Sequence, residues 1–353
     1  MDSVSEAPAI KSAVIGAGSF GTALGHLVAS KGGVINLWGR NKNTVSDIQQ
    51  NHRNSAYLAE LPLHPKLVAT QDLKLAVSDA DLVFIAVPST SFRSVCRLMI
   101  PLLPPSARLI STTKGLVEDP DFLLMSQVLE QEVSRANRQH SIGVLSGPNL
   151  AREIIENQYS GSVVASADPI LCDWVREALS TASFRVYSGT DLYGIELGGA
   201  LKNIYAIILG MAAGAGLGKN TEGLLLTRSI AEMCRFAYEI KGSPATFLGL
   251  AGIGDLFATC TSPLSRNYSL GFEMARGASL ERAQKHVEQS AEGINTVRIV
   301  RQEAKKRQIA MPLAEALASF LLDSEAVEEV LGSLMASAPG EDIDSSLWQL
   351  TLS

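Results

Sequence analysis

Ser12-Ala13-Val14-Ile15-Gly16-Ala17-Gly18-Ser19-Phe20-Gly21 is the stretch that decides the fold. A short apolar strand runs into glycines at 16, 18 and 21, and Thr22 to Ser30 then has helical character. Between a strand and a helix this spacing has a specific meaning. Gly16 permits a tight turn, Gly18 lets the backbone approach a pyrophosphate, and Gly21 lets the helix pack on the strand. The helix presents its free N–H groups to the phosphates. Three glycines alone mark only a turn; in this setting they predict a dinucleotide site that includes Ser19 and Phe20.

The next strand, Val34-Ile35-Asn36-Leu37-Trp38, ends at Gly39-Arg40-Asn41, where the adenosine ribose of such a cofactor would lie. An acid there would bind the ribose hydroxyls of NAD, whereas an arginine accommodates the extra phosphate of NADP. Arg40 therefore favours NADP, or use of both NADP and NAD. A solvated loop arginine is the competing reading. Asn51 to Thr70 lacks clean periodicity and reads as an elaborated connection. Asp81 to Ser89 and Ala107 to Thr113 are continuous apolar runs of the kind covered on both faces in a parallel sheet. Lys114 follows the second run, at the edge where open α/β sheets bind ligands. Ser141 to Gly147 gives another strand, and Gly147-Pro148-Asn149 opens a helix at the same edge. Ser162 to Ser166 and Phe184 to Ser188 complete the series. The prediction is an α/β, doubly wound parallel sheet over residues 1–193.

After Tyr193 the strand signals stop. Glycine-containing helices dominate to about Leu334, so an all-α domain is predicted over 194–335, with an extension over 336–353. The 353 residues are 46% hydrophobic, enough for two cores. Thirty basic residues against 36 acidic ones give a net charge of −6 without a basic block, which argues against nucleic acid and anionic membranes. Four scattered cysteines and five histidines show no ligand spacing, so no metal is expected and a reducing cytoplasm is. Met1 to Pro8 is acidic and does not read as a secretory signal. The longest uncharged run, Asn203 to Gly218, is short for a membrane span.

Chemistry concentrates in two stretches of the helical half. In Glu196-Leu197-Gly198-Gly199-Ala200-Leu201-Lys202-Asn203, a lysine precedes an apolar helix. Burial there would disfavour the ammonium and bring its pKa down from ~10.4 toward the range useful for proton transfer. A lysine snorkelling to water is the ordinary alternative. In Gly252-Ile253-Gly254-Asp255-Leu256, a carboxylate is held near a core and wants a cation, with Lys202 the obvious candidate. Ser265-Arg266-Asn267 has the donor set for a phosphate, a planar guanidinium with an amide and a hydroxyl beside it. A helix cap and a surface arginine are the plain readings of Asp255 and Arg266, each plausible singly and less so for the set.

With these stretches in order over Ile10 to Leu334, the chain resembles the NAD(P)-dependent sn-glycerol-3-phosphate dehydrogenases. The resemblance also rests on Ala86-Val87-Pro88-Ser89, Thr113-Lys114-Gly115 and Leu145-Ser146-Gly147-Pro148. It implies interconversion of dihydroxyacetone phosphate and sn-glycerol 3-phosphate, supplying glycerol phosphate for phospholipids. Hydride would pass to the C2 carbonyl with Lys202 as proton donor or acceptor and Asp255 tuning it. Lys114 would add a second positive group near the reacting oxygen or the cofactor. Asn203 would donate to a substrate hydroxyl, Ser265, Arg266 and Asn267 would take the phosphate, and Gly147 and Asn149 would line the substrate. Ser19, Phe20, Arg40, Lys114, Ala151, Arg266 and Glu292 match the family's cofactor contacts. Two positions depart from its pattern: Ala59 stands where proline is common, and Asn149 where threonine is. The resemblance implies a soluble, cytoplasmic enzyme, and the apolar glycine-rich helices suggest a homodimer. A β-hydroxyacid or 6-phosphogluconate type dehydrogenase and a non-catalytic NADP-binding sensor are the alternatives.

Overall fold

The structure, a computed structural model, describes residues 10–119, 121–240, 242–286 and 292–323. The readings of Met1 to Pro8 and of the extension over 336–353 lie outside these residues. The first half begins β1 (Lys11–Ile15), α1 (Ser19–Ser30), β2 (Val34–Trp38), α2 (Lys42–Asn51), α3 (Ser55–Leu58), β3 (Val68–Thr70), α4 (Leu73–Val77), β4 (Leu82–Ile85) and α5 (Ser89–Met99). It continues β5 (Arg108–Ser111), β6 (Leu116–Asp119), β7 (Asp121–Leu124), α6 (Met125–Arg135), β8 (Ile142–Ser146), α7 (Ala151–Ile155), β9 (Ser160–Ser166), α8 (Pro169–Leu179) and β10 (Phe184–Gly189).

Eight of these strands form one sheet in the order β10-β9-β8-β5-β4-β1-β2-β3. The chain winds outward from β1 through β2 to β3, then returns to β4 and winds the other way. The reversal between β1 and β4 opens a crevice at their carboxyl ends, where ligands bind in open sheets. All four residues of β4 are buried, which is why its sequence is continuously apolar.

Two expectations are corrected. The sheet is doubly wound but not wholly parallel, because β9 pairs antiparallel with β8 and β10 follows β9. The five-residue α7 does not carry the chain back across the sheet, so it re-enters from the carboxyl edge. The connection from Asn51 to Thr70 contains α3 and ends in edge strand β3, three residues too short to show alternation. β6 and β7, unassigned from sequence, pair with each other antiparallel.

The second half comprises α9 (Leu192–Gly214), α10 (Lys219–Glu239), α11 (Asp255–Cys260), α12 (Arg266–Ala275), α13 (Leu280–His286), α14 (Glu292–Arg307) and α15 (Pro312–Asp323). Every residue of α9 from Gly194 to Ala212 is buried, with α10, α11, α12 and α14 packed around it. By length and composition α9 matches a membrane span, but 89% of its most apolar window is buried inside the protein, as for a core helix. Glu196 sits within this helix and accepts from Ser126 N at 2.9 Å and Ser126 Oγ at 2.5 Å, at the start of α6. Burial pushes its pKa up to about 7, against the pull of those donors. The carboxyl group thus ties the central helix to the sheet half.

Candidate active site

A cleft of about 690 Å³ lies across the β1/β4 crevice, the middle of α9 and the facing ends of α11, α12 and α14. At its sheet end, Gly16 has φ +124°, and a Cβ at Gly21 would stand 1.9 Å from the Gly16 carbonyl oxygen. Both glycines are therefore required by the backbone itself. Gly18 differs. A Cβ there would meet nothing within 4 Å, so the turn leaves an open cradle. The N-terminus of α1 behind it has no side-chain cap and no acid in its first turn. Free N–H groups over an open glycine suit a pyrophosphate. Ser19, Phe20, Arg40 and Ala151 line the same end, and among the described residues that line it no acid accompanies Arg40. Asn41 is committed locally, capping α2 by accepting from Asn43 N and Thr44 N.

The other end is built from side chains. Lys202 is 6% exposed and Asp255 1%. The Lys202 ammonium donates to Asp255 Oδ1 and, at 2.5 Å, to Thr259 Oγ1. Lys114 Nζ donates to the other oxygen, Asp255 Oδ2, at 2.7 Å and to the Gly147 carbonyl at 2.7 Å. One carboxylate holds two ammonium groups, one from the sheet and one from the central helix. Burial, together with the neighbouring Lys202, lowers the Lys114 pKa to about 8 although Asp255 opposes the shift. Gly199 makes the junction possible, since a Cβ there would come within 2.7 Å of Ser146 Oγ and 3.3 Å of Lys114 Cγ. A π-helical turn, Leu250–Gly254, leads directly into α11 and delivers Asp255 at its first residue.

Ser265, Arg266 and Asn267 open α12, a ten-residue helix whose N-terminus faces the cleft. The Ser265 hydroxyl caps it by accepting from Tyr268 N at 3.3 Å. Helix N–H groups thus supplement the side-chain donors read from the sequence. The two asparagines are already engaged with each other. Asn267 Nδ2 donates to Asn203 Oδ1 at 3.0 Å, and Asn203 Nδ2 donates to the Lys114 carbonyl at 3.1 Å. Gly293 N donates to Asn267 Oδ1 at 3.1 Å, which fixes the start of α14. Glu292 there accepts from Ser89 N at 2.9 Å and Ser89 Oγ at 2.5 Å, so it caps α5 from the helical half. Asn149 turns its Oδ1 to Ser162 Oγ at 2.7 Å and lines the cleft, where its buried Nδ2 has no partner among the described residues.

A model of the N-terminal region of NAD-dependent glycerol-3-phosphate dehydrogenase matches residues 11–172, and one of its C-terminal region matches 191–332. A glycerol-3-phosphate dehydrogenase (NAD(P)+) of Saccharophagus degradans is 50% identical over 331 residues, covering 94% of this chain and 91% of its own. This chain belongs to the NAD-dependent glycerol-3-phosphate dehydrogenase family. A namesake from Teredinibacter turnerae is 47% identical over 95% of this chain and 97% of its own. The solved glycerol-3-phosphate dehydrogenase of Coxiella burnetii superposes with a TM-score of 0.88 at 34% identity, covering 93% of this chain and 99% of that one.

Within this glycerol-3-phosphate dehydrogenase fold, most of the residues singled out from sequence line one cleft. Three do not. Gly21 supports the turn from beneath, Gly147 offers its carbonyl to Lys114, and Asp255 sits behind the lysines it holds. Sequence reading missed Thr259, one helical turn after Asp255 and so on its face, and Tyr57, which lines the cleft from α3. Ala59 lies at φ 51°, ψ −134°, a backbone that proline cannot adopt. The departure from the family pattern at that position has a conformational counterpart.

Proposed function

We propose that this chain interconverts dihydroxyacetone phosphate and sn-glycerol 3-phosphate with NAD or NADP. The observation that carries this reading is the Lys202–Asp255–Lys114 cluster, set between an uncapped glycine turn at one end and the Arg266 helix terminus at the other. The bound nicotinamide supplies or takes up hydride at C2. The protein's own groups do the rest. Arg266 and the start of α12 hold the phosphate, so that binding energy remote from C2 positions the carbonyl. Lys202 gives a proton to the C2 oxygen during reduction and takes it back in the reverse direction. Asp255 keeps Lys202 aimed by holding its ammonium, and Lys114 keeps a second positive charge beside the developing alkoxide. Asn203 and Asn267, through their mutual hydrogen bond, hold the Lys114 segment and the α14 terminus in register.

The remaining points of the proposal are the extent of the sheet domain to residue 193 and of the helical domain to 335, a cytoplasmic location and a product used for phospholipids. A homodimer through the helical half is a further point, suggested by its apolar, glycine-containing helices. NADP is the favoured cofactor because Arg40 lines the ribose end without an acid. Initial rates of dihydroxyacetone phosphate reduction with NADPH and with NADH at matched concentrations test the activity and the cofactor preference. Oxidation of both, faster with NADPH, is expected. Arg40→Ala should raise KM for NADPH about tenfold and leave that for NADH nearly unchanged. Turnover of hydroxyacids alone, or tight cofactor binding with no turnover, would overturn the assignment.

A further inference from the structure

Asn54 is 0% exposed and stands at the N-cap of α3. Asparagine is favoured at that position because its side-chain oxygen accepts from the first-turn N–H groups, as Asn41 does for α2. Asn54 makes no such bond. Its Oδ1 is buried without a partner among the described residues, while Nδ2 donates to the Ala17 carbonyl at 3.0 Å and to Thr22 Oγ1 at 2.8 Å. Turning the amide over would set oxygen against the Ala17 oxygen, so the donor assignment is fixed by its neighbours. A buried acceptor left unmatched is costly, and the local capping role does not account for it. What the residue does reach lies 37 positions away in the chain.

We propose that Asn54 is a positioning residue for the glycine turn, holding the Ala17–Gly18 peptide in the orientation that receives the cofactor pyrophosphate. The peptide is planar and trans, so its N–H points opposite to its carbonyl. Asn54 lies outside the cleft lining and draws the carbonyl inward, which directs the Gly18 N–H to the other side, where Gly18 borders the cleft and its cradle is open. The second bond, to Thr22, locks the same amide onto α1, so turn and helix keep one relative position. The inference rests on reading this turn as the dinucleotide site.

Asn54→Ser tests this directly, since serine is too short to reach Ala17 while remaining a residue favoured at a helix N-cap. NADPH affinity, measured by fluorescence titration of the cofactor, should fall about tenfold. The loss should appear in KM for the cofactor, with KM for dihydroxyacetone phosphate and kcat changing less than about threefold. Asn54→Asp keeps the shape but aims a carboxylate oxygen at the Ala17 carbonyl, and should bind NADPH more weakly than the serine variant. Should neither fold, Thr22→Val removes one of the two acceptors and should weaken NADPH binding about threefold. NADPH affinity within about twofold of the parent in the folded variants, or cofactor and substrate KM rising in step, would overturn the proposal. A parent protein that binds no NADPH would instead overturn the reading of the turn.

Discussion

The two ends of the cleft are made of different material. The sheet end is backbone: Gly16 with its positive φ, Gly21 under it, an open Gly18 and an uncapped helix, all within six residues of sequence. The floor is side chain. Lys114 from beyond β5, Lys202 from α9 and Asp255 and Thr259 from α11 meet around one carboxylate, with each lysine 53 to 141 positions from the α11 side chains it holds. A binding site for a phosphate-rich cofactor needs shape and N–H groups, which a short motif can supply. Proton transfer needs opposed charges held out of water, and only the assembled fold brings them together.

The largest expected effect breaks the floor alone. Lys202→Ala should lower kcat by about a thousandfold or more. Asp255 would keep Lys114 as a partner, so the cluster loses its excess positive charge rather than gaining an unpaired carboxylate. NADPH affinity should stay within about threefold of the parent, because the glycine turn is untouched. An unchanged kcat would remove Lys202 from the chemistry.

Gly18→Val is the converse. Its side chain enters space that nothing in the protein fills, so the cofactor-free fold should keep its melting temperature within a few degrees. Cofactor affinity should fall about a hundredfold, since the valine stands where backbone and pyrophosphate must approach. Gly21→Ala, with its Cβ 1.9 Å from Gly16 O, is a different case and should damage the fold itself. If Gly18→Val destabilised the free protein as much as Gly21→Ala, the open cradle would be misjudged.

The same contrast explains what the sequence made legible. The strands from Leu82 and Arg108 stood out because burial on both faces keeps them largely apolar, and those from Val34 and Ile142 because they are short apolar-rich runs bounded by glycine. β3 is too short to show a period, β6 and β7 carry Glu118, Asp119 and Asp121, and the reversal at β9 depends on where α7 ends rather than on residue type. Within the site, the glycine turn was complete in the local sequence. Asp255 could be matched to Lys202 only because a carboxylate among apolar residues needs a cation. That it also grips Lys114, that Asn203 and Asn267 bond to each other, and that Asn54 reaches Ala17 are facts of long-range packing, invisible to spacing.

The smallest effect is the one that ties both ends to pH. Lys114 carries its charge only below its pKa, which burial and the adjacent Lys202 lower to about 8 against the pull of Asp255. As pH rises through that value, the second positive group beside the substrate is lost, and kcat/KM for dihydroxyacetone phosphate should decline by at most about tenfold per pH unit. Stability should move in the opposite direction. Between about 8 and the ordinary lysine value of 10.5, the unfolded chain binds a proton at this position that the folded chain has already released. The contribution of this group to folding therefore grows as pH rises through that window. Comparing the parent with Lys114→Met separates this residue from the rest of the protein. The decline in kcat/KM near pH 8 should be absent from the variant, and the parent should gain in melting temperature relative to it between pH 8 and 10. A parent profile that stays level to pH 10 would mean that Asp255 outweighs burial at Lys114, and that the floor of the cleft holds both of its positive charges throughout.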